Sequence, residues 1–174
     1  VLSKSGKKTG LFTSPHLSNI NERFRINGIE ISDQDLCKAF YNIDQARGDI
    51  ALTYFEFCSL AAFVIFNSKK CDIWILEVGL GGRLDSVNII DADIAILTTV
   101  DLDHTDILGD SIEAIASEKM GIFRKQQKIF CGDKLLFDLV SKRSKALNSK
   151  FYCAGIDFKC FLNLNLSVEL KKLI

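Results

Sequence analysis

Two short runs dense in β-branched and other apolar residues, Asp72 to Glu77 and Asp93 to Thr99, constrain what this chain can fold into more than any other feature. Runs of that kind mark strands covered on both faces, the habit of parallel sheets flanked by helices. Helical patterns alternate with them. Ser32, with Asp35 three residues on, resembles a capping box and opens a helix to about Arg47, where Gly48-Asp49 breaks it. Thr53 and Glu56 repeat the signature and head a strongly apolar helix, Tyr54 to about Asn67, that must be buried on most sides. Farther on, Asp110 or Ser111 caps a helix reaching about Met120. Lys128 to Cys131 reads as a strand, Leu135 to Leu147 as a helix and Phe151 to Cys153 as a strand. This alternation predicts an α/β fold built on a doubly wound, mostly parallel sheet.

The first segment fits the same plan. Gly10-Leu11-Phe12 reads as a buried strand running into a loop at Pro15, the only proline. Arg23 to Ile26 alternates like a strand, Asn27-Gly28 signals a two-residue turn, and Ile29 to Ile31 returns. At the other end Leu162, Leu164, Leu166, Val168 and Leu170 alternate with polar residues, which predicts a half-buried strand. The expected organisation is one α/β domain over residues 1–156 and a divergent tail over 157–174.

Composition narrows the function. With 48% hydrophobic and 25% charged residues, 174 residues make a folded domain with a sizeable core. Lys+Arg and Asp+Glu are both 22, so no basic surplus exists to neutralise a nucleic-acid backbone. The longest apolar run, Leu60 to Phe66, is too short to span a bilayer, and the basic start at Val1 to Lys8 lacks the apolar stretch of a secretion signal. Six cysteines without a C-x-x-C pair suggest reduced thiols in a cytoplasmic protein, with neither disulfides nor zinc. The abrupt start at Val1 suggests a fragment.

Four segments have the residue types for chemistry. Glu77-Val78-Gly79-Leu80-Gly81-Gly82-Arg83-Leu84-Asp85-Ser86 follows a strand directly, where α/β folds bind ligands. It fails the dinucleotide spacing, because Leu84 stands where a third glycine belongs. Glu77 is placed to hold Mg²⁺, a hard ion that prefers oxygen ligands; the plainer reading is that the glycines only make a tight turn. Asp101-Leu102-Asp103-His104-Thr105-Asp106 sets one imidazole among carboxylates past the next strand, a metal or proton-transfer site or an ordinary surface histidine. If the two strands are neighbours, Glu77 and this loop share one sheet edge. Lys119 lies near a helix end, where the dipole alone favours a cation. Thr13-Ser14-Pro15-His16 could touch phosphate or metal, or merely form a loop. Ser5-Gly6-Lys7-Lys8-Thr9 is not a phosphate loop, since no Ser or Thr follows Gly-Lys.

Taken together, Thr13-Ser14-Pro15-His16-Leu17, Asn21-Glu22-Arg23, Leu52-Thr53-Tyr54-Phe55-Glu56, Leu76 to Asp85, Leu102-Asp103-His104-Thr105 and Glu118 to Phe123 resemble the dihydrofolate synthase/folylpolyglutamate synthase family of the Mur ligase superfamily. The resemblance covers roughly residues 5 to 135, and Ala46-Arg47-Gly48-Asp49-Ile50 is similar to the bacterial dual-function form. It implies a Mur ligase-type ATP-binding domain, here incomplete, in an enzyme that phosphorylates a dihydropteroate or folate carboxylate with ATP. The amine of L-glutamate then displaces phosphate. It further implies metal ligands at Ser14, Glu77, His104 and Lys119, the last as a carbamate, with Lys119 and His104 catalytic. Thr53, Tyr54, Phe55, Glu56, Leu84, Asp85 and Ser86 would line the pterin pocket. The expected cofactor is Mg²⁺ with ATP as substrate, in a monomeric cytoplasmic enzyme without nucleic-acid or membrane partners. The family's phosphate loop would precede residue 1 and its C-terminal domain would follow residue 174, so the chain alone is expected to be inactive. The alternatives are a non-catalytic remnant that binds a pterin or another chain, and a different Mur-type amide ligase.

Overall fold

The computed structural model describes residues 1–162 and 168–172. They divide into two compact units, Val1–Leu80 with Asp85–Ile89, and Gly81–Leu84 with Ile90 onwards.

The first unit holds a four-stranded sheet in the order β3-β2-β1-β4, made of β1 (Thr9–Phe12), β2 (Phe24–Ile26), β3 (Ile29–Glu30) and β4 (Ile73–Leu76). β1 and β4 are parallel, with Phe12 opposite Leu76. The chain turns back at Asn27-Gly28, where φ of +52° and +84° gives the left-handed pair a two-residue hairpin requires, so β2 and β3 run antiparallel. The sheet is therefore mixed rather than wholly parallel.

Helices α1 (Asp33–Arg47) and α2 (Tyr54–Ser68) start where their capping residues predict. Ser32 Oγ accepts from the Asp35 amide, and Thr53 and Glu56 form a reciprocal capping box. The apolar character of α2 has a specific cause. Its Phe66 ring lies flat on the backbone of β1, so close that a Cβ on Gly10 would come within 2.6 Å of it. Trp74 of β4 then stacks on Phe63 and meets the edge of Phe66. Because a buried ring has nowhere to retreat, Gly10→Ala is expected to cost about 1–3 kcal/mol, read as a lower urea midpoint of Trp74 fluorescence.

The second unit carries a parallel three-stranded sheet, β5 (Ile94–Leu97), β6 (Lys128–Cys131) and β7 (Lys150–Cys153), in that order. With it come a single-turn helix α3 (Thr105–Leu108), then α4 (Ile112–Lys119) and α5 (Phe137–Ala146). Ser111, not Asp110, caps α4 by accepting from the Ala114 amide. The helix predicted from Leu135 begins instead as a 3-10 turn, Lys134–Leu136, because the Asp133 carboxylate captures the Leu135 amide. One sheet face, Ala95, Leu97, Ile129, Cys131 and Cys153, is buried in a core with Ile115, Ala116, Met120 and Val140. The opposite face is only partly covered, by Phe130 stacked on Tyr152.

Two expectations fail here. β4 and β5 are not neighbours: the first pairs with β1 and the second with β6. Nor are the apolar strands covered on both faces, since Ile75, Ile94 and Ile96 keep 40%, 48% and 62% of their surface exposed. Strand β8 (Phe158–Leu162) pairs antiparallel with β9 (Val168–Lys172). The strand expected from Leu162 to Leu170 therefore appears as two arms, with Leu164 and Leu166 outside the described residues. Among the described residues no helix is long and apolar enough to cross a membrane.

Candidate active site

In the first unit the parallel pair β1 and β4 ends with its two chemistry-bearing residues in contact. Phe12 and Leu76 are in register, so Ser14 and Glu77 both emerge just past the C-terminal edge. The Ser14 amide donates to Glu77 Oε2 at 2.7 Å, and the Glu77 amide is held by the Phe12 carbonyl at 3.0 Å. An exposed carboxylate beside a serine hydroxyl, at the end of parallel strands, offers the hard oxygen donors that suit a divalent cation.

The loop that carries Ser14 is tied down by a residue the motif reading did not assign. Glu22 accepts backbone N–H groups from Leu17, Ser18 and Asn19 at 2.9, 2.8 and 2.7 Å. Those three amides pull its carboxyl from the ordinary 4.5 down to about 2. Arg23, only 8% exposed, donates to His16 Nδ1 at 2.8 Å and lies over the Tyr54 ring. The Asn19-x-x-Glu22 spacing is itself a capping-box signature and was the available clue.

A pH dependence follows. Since the folded pKa is depressed, the stability Glu22 contributes is complete above 4.5 and drains away as pH falls toward about 2. Glu22→Gln should lose that dependence, and amide exchange at Leu17, Ser18 and Asn19 should quicken by roughly tenfold or more.

The glycine loop turns out to be built for close packing. In the first unit Asp85 Oδ2 accepts the amides of Gly79 and Leu80 at 2.9 and 3.0 Å, and Oδ1 that of Val87 at 3.0 Å. Phe55 lies against Gly79, where a Cβ would meet its ring at 2.6 Å. Ser86 Oγ is 2.7 Å from Ser59 Oγ. Of the expected pterin-contacting residues, Phe55, Glu56, Asp85 and Ser86 thus all have internal partners, whereas the Tyr54 side chain is 56% exposed.

In the second unit Gly82 backs onto the end of α4, where a Cβ would sit 2.8 Å from the Glu118 and Lys119 carbonyl oxygens. The Arg83 amide donates to the Glu118 carbonyl at 2.9 Å, and the Arg83 guanidinium pairs with the Glu118 carboxylate. The last helical residue, Lys119, is half-buried, and among the described residues it makes no ion pair. Leu84 is 80% exposed. His104 has left-handed backbone, φ +51° and ψ +41°, as the residue capping α3. A non-glycine residue in that region costs free energy and is worth inspecting for function. Asp103 holds it: Oδ1 accepts the His104 amide at 2.8 Å, and Oδ2 lies 3.6 Å from Nε2.

Of the four expected metal ligands, then, Ser14 and Glu77 come together within the first unit, while His104 and Lys119 belong to the second. Among the described residues no three His, Cys, Asp or Glu side chains cluster tightly enough to hold a metal by themselves.

Comparison with known proteins places this geometry. The family profile of the Mur ligase middle domain matches residues 29–167. The chain is a member of the Mur ligase family. Among relatives of this Mur ligase, the dihydrofolate synthase/folylpolyglutamate synthase of Buchnera aphidicola subsp. Schizaphis graminum is 44% identical over 153 residues, covering 86% of the chain and 37% of that protein. The Escherichia coli enzyme of the same name is 47% identical over 133 residues, covering 76% of the chain and 32% of its own length. Among solved structures, E. coli FolC in complex with DHPP and ADP superposes with a TM-score of 0.88 at 39% identity, covering 94% of the chain and 39% of that structure. A bifunctional folylpolyglutamate synthase/dihydrofolate synthase with Mn, AMPPNP and L-glutamate bound gives 0.87 at 39% identity, covering 98% and 41%. The chain thus spans about two fifths or less of the proteins it matches.

Proposed function

We propose that this chain is the central part of an ATP-dependent ligase that joins L-glutamate to dihydropteroate or folate through an acyl phosphate. The observation that carries the reading is the Ser14–Glu77 contact at the end of the parallel pair β1 and β4. The names of the relatives favour the folate branch over other Mur-type amide ligases. A structural neighbour holding Mn and AMPPNP supports a divalent ion and ATP, and Mg²⁺ is our assignment for the resident ion.

Each chain residue has a defined task in this reading. Glu77 and the Ser14 hydroxyl present oxygen donors, and the Ser14 amide orients the carboxylate between them. His104, fixed by Asp103, presents an imidazole nitrogen. Lys119, with no carboxylate partner, is free to be converted to a carbamate, which turns a cation into a further anionic oxygen ligand. Thr53, Tyr54 and Glu56 at the start of α2 face the pterin, with Phe55, Asp85 and Ser86 forming the wall behind. The metal supplies neutralisation of phosphate oxygens as charge develops during transfer. A folate ligase of this kind works as a monomer in the cytoplasm.

The test is direct binding. Mn²⁺ titrated into the 174-residue chain, followed by loss of the free-ion electron paramagnetic resonance signal, is expected to bind, with AMPPNP shifting the isotherm. A folded chain that takes up neither ion nor nucleotide would overturn the reading.

A further inference from the structure

Outside the residues assigned to ligation, the second unit contains a pair of thiols with no role in it. Cys131 ends β6 and Cys153 ends β7, and the two are register partners on adjacent parallel strands. Both side chains are completely buried, on the same face of the sheet. They also converge on one point: Cys131 Sγ donates to the Asp133 carbonyl oxygen at 3.2 Å, and Cys153 Sγ approaches the same oxygen at 3.9 Å. A second carbonyl, that of Ala154, lies 3.5 Å from Cys153 Sγ. The cover is thin, because the residues that follow each cysteine leave the sheet at once and Gly132 and Gly155 are exposed.

Spacing decides what such a pair can bind. A disulfide needs Cβ atoms about 3.8 Å apart, less than the roughly 4.8 Å between neighbouring strands. Two metal–thiolate bonds of about 2.3 Å laid end to end nearly match that strand spacing. Two sulfurs without a third strong ligand, in an apolar pocket edged by carbonyls, suit a soft monovalent ion. The same surroundings disfavour hard ions, which want several charged oxygens.

We infer that Cys131 and Cys153 form a two-coordinate site for a thiophilic cation of the Cu(I) class, bridging the C-terminal ends of β6 and β7. Binding replaces both thiol protons: Cu⁺ and two thiols give a bis-thiolate complex of net charge −1 and two released protons, with no change of oxidation state. The site is independent of the ligase reading, since neither cysteine touches a residue assigned to it. Burial raises both thiols, Cys153 to about 11, so uptake should weaken as pH falls.

The experiment uses the whole chain under anaerobic conditions, with Cu(I) delivered from its coloured bicinchoninate complex. One equivalent should transfer to the folded chain and raise its unfolding temperature. Copper X-ray absorption on the wild type should show two sulfurs in linear geometry, a readout that needs no variant. Cys131→Ser and Cys153→Ser should each abolish the transfer, while Cys37→Ser, Cys58→Ser, Cys71→Ser and Cys160→Ser should leave it intact. Circular dichroism checks that each variant is folded. No transfer to the folded wild type would overturn the inference. So would a shell of three sulfurs, or transfer lost in one of the four control variants instead.

Discussion

Glu77→Gln is expected to leave the fold unchanged and to weaken Mn²⁺ binding about a hundredfold. The amide oxygen of glutamine can still accept the Ser14 N–H that Glu77 Oε2 accepts at 2.7 Å, so the loop between β1 and Pro15 keeps its anchor. What is lost is the charge. Outer-sphere partners alone change metal affinity by about 10–100-fold, and a direct carboxylate ligand should lie at the upper end. The contrast with Glu22→Gln is instructive, because that change loosens the loop while leaving every proposed ligand in place. An affinity that falls with Glu22→Gln but not with Glu77→Gln would count against Glu77 as a ligand.

Gly82→Ala should be the most damaging single methyl group in the second unit. Its Cβ would be 2.8 Å from two carbonyl oxygens of α4 and 3.0 Å from the Lys119 Cα, all backbone atoms that cannot rotate away. Overpacking of this kind costs about 3 kcal/mol when nothing yields, more than a hundredfold in the folding equilibrium. The loop and the helix end are mutually dependent on missing side chains: a Cβ on Gly121 would meet the Arg83 Cβ at 2.3 Å. Native-state hydrogen exchange at Ile129 and Cys131, in the core of the second unit, would report the loss. Leu84→Ala, two residues away and 80% exposed, should leave it within about 0.5 kcal/mol.

What the sequence disclosed here was local, and what it withheld was long-range. Thr53 and Glu56 announce the start of α2 because a capping box is a three-residue affair. Asn27-Gly28 announces its hairpin for the same reason. The glycine run after β4 could be placed at a strand end, yet the reason for each glycine lies far along the chain. Gly79 serves Phe55, and Gly82 serves Glu118 and Lys119. Strand neighbourhood was equally hidden. Two apolar runs separated by a short loop looked adjacent, but β4 pairs with β1 across more than sixty residues, and β5 with β6. Hydrophobic periodicity says which face is buried, never which strand lies alongside.

β5 lies at one end of its ladder, with Ile94 and Ile96 on the water side. An unpaired strand border with a greasy row above it is a template on which other chains can add. Concentration then becomes a variable in handling the protein: scattering should climb as samples are concentrated, and a lysine placed at position 96 should keep them clear.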